Sequence, residues 1–228
     1  MSIFGNLAGN KAMNAHRKGQ YDQALELYRE AYRKGMDNPA MLKNMATLLV
    51  RNAYFDEALE ILKKLDRLSG MPDKERADIH IQYAVILWKK GHLDHAVEIL
   101  EKDFETVRYG NIYSVLGYLL IEQGDAEKAL AFNQAALEYD EEDPIFLENL
   151  AQTYYRLLHD KSQARVYFDR ALERKPGLID TNYFLALYDL EEGNRDSARK
   201  HLHTALEGRS SVLNFADREK INALLETL

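Results

Sequence analysis

The chain has no cysteine. That excludes disulfides, thiolate nucleophiles and cysteine-ligated metals together. It has only 4 prolines among 228 residues, and 46% of it is hydrophobic. Such a composition argues against disorder and allows a substantial buried core. Long apolar runs are missing: the most apolar stretch lies around Val115–Ile121, far short of the roughly 20 residues that span a bilayer. The start, Met1-Ser2-Ile3-Phe4-Gly5-Asn6, lacks the charged-then-apolar layout of a signal peptide. Positive charge is in deficit, with 30 Lys plus Arg against 37 Asp plus Glu and a net charge of −7. An acidic chain repels nucleic acid and anionic lipid, so neither is an expected partner. A soluble cytoplasmic protein is the expectation.

What is present is repetition. Gly19-Gln20-Tyr21-Asp22-Gln23-Ala24, Ala53-Tyr54-Phe55-Asp56-Glu57-Ala58 and Gly91-His92-Leu93-Asp94-His95-Ala96 follow one pattern. Gly124-Asp125-Ala126-Glu127-Lys128-Ala129 and Gly193-Asn194-Arg195-Asp196-Ser197-Ala198 repeat it, and a degenerate copy ends at Ala164. The alanines at 24, 58, 96, 129, 164 and 198 are spaced by 34, 38, 33, 35 and 34. Small residues precede them by twelve (Ala12, Ala46, Ala84, Gly117, Ala186) or, at Ala151, by thirteen. Large residues follow by four (Tyr28, Leu62, Leu100, Phe168, Leu202) and alanines by seven (Ala31, Ala136, Ala171, Ala205). Small residues on facing helices let their axes approach, and large ones fill the space around them. Leu65, Asp103 and Asn133 depart from the pattern and predict looser packing in the second to fourth repeats.

A period near 34 with these marks resembles the tetratricopeptide-repeat family over nearly the whole chain. The resemblance implies an all-α fold: a right-handed superhelical solenoid of about six helix-turn-helix hairpins closed by a C-terminal capping helix. Residues 1–228 then form one domain, with repeats at 5–38, 39–72, 77–109, 110–143, 144–178 and 179–212 and a cap at 213–228. Asn38-Pro39 and Asp143-Pro144 each place an N-cap before a proline that opens a repeat. The spacing of 38 puts a polar insertion, Asp73-Lys74-Glu75-Arg76, at the start of the fifth helix. The spacing of 35 marks an extra residue near His159-Asp160, where no glycine serves the turn. In the tail, Ile221, Leu224, Leu225 and Leu228 fall on one helical face, with Asn214 as the expected N-cap.

The resemblance also implies a concave groove lined by the first helix of each hairpin. Register on the alanines then gives candidate peptide-binding residues. They are Asn10, Arg17, Lys43, Asn44, Arg51, Gln82 and Lys89, followed by Tyr118, Asn149, Gln152, Arg156 and Tyr183. Asn10, Asn44 and Asn149 share one repeat position, where an amide can donate to and accept from an extended backbone. Asn149 is expected to face solvent in the free protein. Among the aromatic residues, Tyr118 and Tyr183 are the better contact candidates, whereas Trp88 and Tyr155 suit packing between hairpins. Charge is graded, with Arg17, Lys43, Arg51 and Lys89 toward one end and Glu122, Glu148 and Glu191 toward the other. Some family members hold the carboxylate of chaperone tails in a Lys/Asn/Arg clamp. Here Gly9, Met13, Asp78 and Gln82 stand at clamp positions and only Asn44 matches, so chaperone-tail binding is not implied.

Catalytic and cofactor chemistry has no signal. The glycines sit singly at repeat turns, not in a phosphate loop. His92 with His95, and His201 with His203, lack further convergent ligands and read as surface histidines. The expectation is a non-catalytic scaffold with no cofactor or metal, binding a protein or peptide as a monomer or weak dimer. A structural subunit that associates through its outer face or terminal helix is the alternative.

Overall fold

The computed structural model describes residues 3–228, whose regular elements are all helices, joined by turns and short links, with no β-strand among them. Contacts divide the chain into two compact units, one ending at Val107 and one beginning at Arg108. The first holds three hairpins: α1 (Ile3–Arg17) with α2 (Tyr21–Arg33), α3 (Pro39–Arg51) with α4 (Phe55–Asp66), and α5 (Asp73–Lys89) with α6 (Leu93–Thr106). In the second, α7 (Gly110–Gln123) pairs with α8 (Ala126–Tyr139). There α9 (Pro144–Gln152), continued by a π turn at Thr153–Leu157, pairs with α10 (Lys161–Arg174). Then α11 (Ile179–Glu191) pairs with α12 (Arg195–Glu207), and α13 (Arg218–Leu225) follows.

The repeat alanines form the contact points. Ala24, Ala58, Ala96, Ala129, Ala164 and Ala198 are all 0% exposed. Caps follow the sequence signals. The Asn38 side chain accepts from Met41 N, and Asp143 accepts from Ile145 N and Phe146 N, each ahead of a proline at the first helical position. The insertion at Asp73–Arg76 lengthens α5 at its start, to 17 residues.

Three departures have local causes. The extra residue of the fifth repeat is absorbed by the π turn, which widens one helical turn by a residue. His159 then makes the turn at φ 55°, and Ala53 does so at φ 58° in the second hairpin; Gly19, Gly91, Gly124 and Gly193 supply positive φ elsewhere. Asn133 puts a polar side chain where the repeat pattern has a large apolar one, and the fourth hairpin is the least closely packed of the six among the described residues, in keeping with the looser packing expected there. Asn133 is 0% exposed, and its amide donates to Gly117 O at 3.3 Å and to Thr153 Oγ1 at 3.1 Å. A Cβ on Gly117 would lie 2.2 Å from Asn133 Oδ1, so the missing side chain on α7 makes room for the polar one on α8.

The tail also differs from the sequence reading. The last helix begins at Arg218, and its N-cap is Asp217, which accepts from Lys220 N. Asn214 is not the cap: its Oδ1 accepts from Ser211 N at 2.7 Å and closes a turn before the helix. The helix nevertheless covers the last hairpin. Ile221 and Ala216 join Ile179, Ala186, Ala198, Leu202 and Ala205 in one cluster, with Leu224, Leu225 and Leu228 against it.

Candidate functional site

In the first unit the candidate residues form an accessible polar and basic row along the first helices. Asn10 and Arg17 on α1 are exposed, as are Arg51 on α3 and Lys89 on α5. Lys43, Asn44 and Gln82 are half-buried. Lys43 Nζ lies 3.4 Å from Asp78 Oδ2, joining α3 to α5. Asn44 lies by the Tyr28 hydroxyl, whose pKa is raised by burial and pulled back by that amide. Gln82 Oε1 is buried without a hydrogen-bond partner. The Lys89 ammonium sits 3.7 Å from the Trp88 ring centroid, a cation–π contact that holds the indole and the charge together.

In the second unit most candidates are turned to internal use. Tyr118 is 5% exposed and Asn149 is 2% exposed. The solvent-facing Asn149 expected from sequence is therefore corrected. Its Nδ2 donates to Ser114 O at 2.9 Å, tying α9 to α7 one repeat away. Gln152 is 0% exposed and accepts from Arg156 at 3.1 Å, while the other arm of Arg156 donates to Glu122 at 2.7 Å. Tyr118 has its pKa raised, chiefly by burial and then by the Glu122 charge. Tyr155 packs on Phe184 with ring centroids 4.8 Å apart. Tyr183 remains half-buried, between Phe184 and Phe215.

The expected charge gradient is weaker than the sequence suggests. Glu122 is paired with Arg156, and Glu191 with Lys161. Glu148 is buried, accepting from Thr181 N at 2.8 Å and Thr181 Oγ1 at 2.6 Å. Burial and the neighbouring Asp180 push its pKa up to about 8. A carboxyl group that holds its proton at neutral pH adds no negative charge to a binding face.

Sequence reasoning missed two features. One is a cleft of about 710 Å³ among α4, α5 and α6. In it His80 bridges two carboxylates, with Nδ1 2.8 Å from Asp103 and Nε2 3.4 Å from Asp66. Asp103 raises the His80 pKa by its hydrogen bond, against the opposing effect of burial. The four-residue lengthening of α5 was the available signal, because it carries Arg76 onto Asp66 at 2.7 Å. The other is Asp180, 2% exposed, which accepts from Phe215 N and Ala216 N at 2.9 Å each. Among the described residues, no group of three or more His, Asp or Glu is placed to hold a metal ion. None of the described helices is long and apolar enough to cross a membrane.

Comparison with known proteins agrees with this geometry. Three tetratricopeptide-repeat models match, at residues 15–71, 77–102 and 114–179. A tetratricopeptide-repeat-containing protein of Methanocaldococcus jannaschii is 26% identical over 161 residues. That match takes in 70% of this chain but only 27% of the relative, so the chain spans about a quarter of that protein's length. Among solved structures, a tetratricopeptide-repeat protein from Parabacteroides merdae aligns over 97% of this chain and 83% of its own, with a TM-score of 0.76 at 15% identity. PilW, a widely conserved type IV pilus biogenesis factor, aligns over 99% of this chain and 100% of its own, with a TM-score of 0.68 at 19% identity. A thermophilic protein of Thermus thermophilus aligns over 89% and 99%, with a TM-score of 0.62 at 20% identity. At these identities the structures speak to fold alone. Together with the paired helices and the alanine register, the matches mean that the chain belongs to the tetratricopeptide-repeat family.

Proposed function

We propose that the chain is a non-catalytic scaffold of the cytoplasm, a monomer or weak dimer that grips an extended polypeptide segment along the first helices of its hairpins. It uses no cofactor, metal, nucleic acid or membrane. The observation that carries this reading is the accessible row in the first unit, where Asn10, Asn44 and Gln82 recur at equivalent repeat positions among Arg17, Lys43, Arg51 and Lys89. Asn10 is exposed and Asn44 half-buried, and their amides can both donate to and accept from an extended backbone. The basic residues favour an acidic segment and faster encounter with it. A different reading, assembly through the N-terminal helix rather than the C-terminal one, is favoured by exposed apolar side chains on α1: Ile3, Phe4 and Leu7 are 79%, 80% and 64% exposed.

The test is a double variant, Lys43→Ala with Asn44→Ala, titrated against a partner isolated from the source cells. Affinity should fall at least tenfold while the melting temperature shifts little, and added salt should weaken the wild-type complex. Equal affinity for wild type and variant would remove the groove reading in favour of assembly through α1.

A further inference from the structure

The second unit carries a short piece of its own chain on its first-helix face. After α12 the backbone leaves helical conformation, makes a turn at Ser211–Asn214, and crosses α11 before α13 begins. Phe215 stacks on Phe184, with centroids 5.2 Å apart and planes at 23°, and lies 6.2 Å from Tyr183. Arg156, one hairpin earlier, covers the same ring at 4.3 Å. Asp180 receives two successive backbone N–H groups of the segment, from Phe215 and Ala216. A carboxylate buried this deeply is costly unless donors meet it, and the segment provides them.

We propose that residues 211–217 are an intramolecular occupant of the binding face, and that the place they fill takes an extended partner segment carrying an aromatic side chain. This rests on the scaffold reading and specifies its ligand. Three observations support it. Asp180 captures main-chain donors, which any extended peptide can present. The ring is held between an arginine and a Phe184–Tyr183 wall, and such contacts select for an aromatic group. The anchor that follows is a single short helix: α13 has eight residues, with Ile221 buried, and Leu224, Leu225 and Leu228 pack against the last hairpin. A tethered occupant competes at an effective concentration of about millimolar. A partner must therefore exceed that competition or find the segment already lifted, and weakening the occupant raises the apparent affinity for the partner.

The experiment uses the full chain and a synthetic peptide with the sequence of residues 210–217, followed by NMR or fluorescence anisotropy. Phe215→Ala should bind the peptide at least tenfold more tightly than wild type. A peptide with Ser in place of the Phe should not bind. Adding Asp180→Asn to Phe215→Ala should abolish the gain. Phe215→Leu, which keeps most of the apolar volume, serves if the Ala variant melts early, and it should show a smaller gain. A folded Phe215 variant that takes up the peptide no better than wild type overturns the proposal. If that happens while Lys43→Ala with Asn44→Ala still weakens the partner, intramolecular occupancy fails and the scaffold reading stands. A partner indifferent to both faces removes the scaffold reading itself.

Discussion

Glu148 on α9 and Thr181 on α11 are joined twice, with the carboxyl group accepting from the Thr181 backbone N at 2.8 Å and from its hydroxyl at 2.6 Å. The pair lies 33 residues apart, close to one repeat period, so it ties one hairpin to the next through a polar contact inside the core. Asp180, adjacent in sequence, is also buried, and burial raises its pKa as well. Two carboxyl groups so close in a dry site favour keeping a proton.

Stability should therefore fall as pH rises across the neutral range. Glu148 holds its proton up to about pH 8 in the folded chain, against an ordinary value of 4.5. The folded state binds more protons than the unfolded state between those values. The contribution is complete below the lower value and is lost as pH rises through the upper one, at most about 1.4 kcal/mol per pH unit for one group. The His80 pKa is also raised, so that site acts in the same direction. Urea midpoints at pH 5 and pH 8 check this: wild type should lose stability, and Glu148→Gln should lose distinctly less.

Asn149→Ala should destabilise the fold by about 1–3 kcal/mol, because Ser114 O would lose its buried donor. Thermal melting decides it. A shift within error would mean that the carbonyl finds water or another donor.

Ala53→Gly should stabilise the chain. Ala53 holds φ 58° in the turn between α3 and α4, and the left-handed region costs a non-glycine residue roughly 1–2 kcal/mol. Relief of that strain should raise the melting temperature by about 2–4 °C per kcal/mol for a chain of this size. The same turn in the fourth hairpin already uses Gly124, at φ 85°.

The fold was legible in the sequence because each hairpin repeats the same requirement: an alanine where two helices touch, a large side chain one turn later and a turn residue between them. The spacing irregularities were legible too: the extra residues of the 38 spacing lengthen α5 at its start, and that of the 35 spacing widens a turn at Thr153–Leu157. The proposed binding face was only half legible. Register places Lys43 and Asn149 at neighbouring repeat positions alike, but it does not say whether a carbonyl or a partner meets the side chain. Asn149 meets Ser114. Asp180 carries no sequence signal, because the groups that explain its burial, Phe215 N and Ala216 N, lie 35 and 36 residues away in a tail with no repeat pattern.

The central claim is that the first helices, not the second, meet the partner. A photo-crosslinking amino acid placed at Asn44 on α3, and separately at exposed Glu98 on α6, tests it in cells of the source organism. The account predicts a discrete polypeptide adduct from position 44, lost when Lys43 and Arg51 are also replaced by Ala, and none from position 98. Adducts from position 98 with none from position 44 would contradict it.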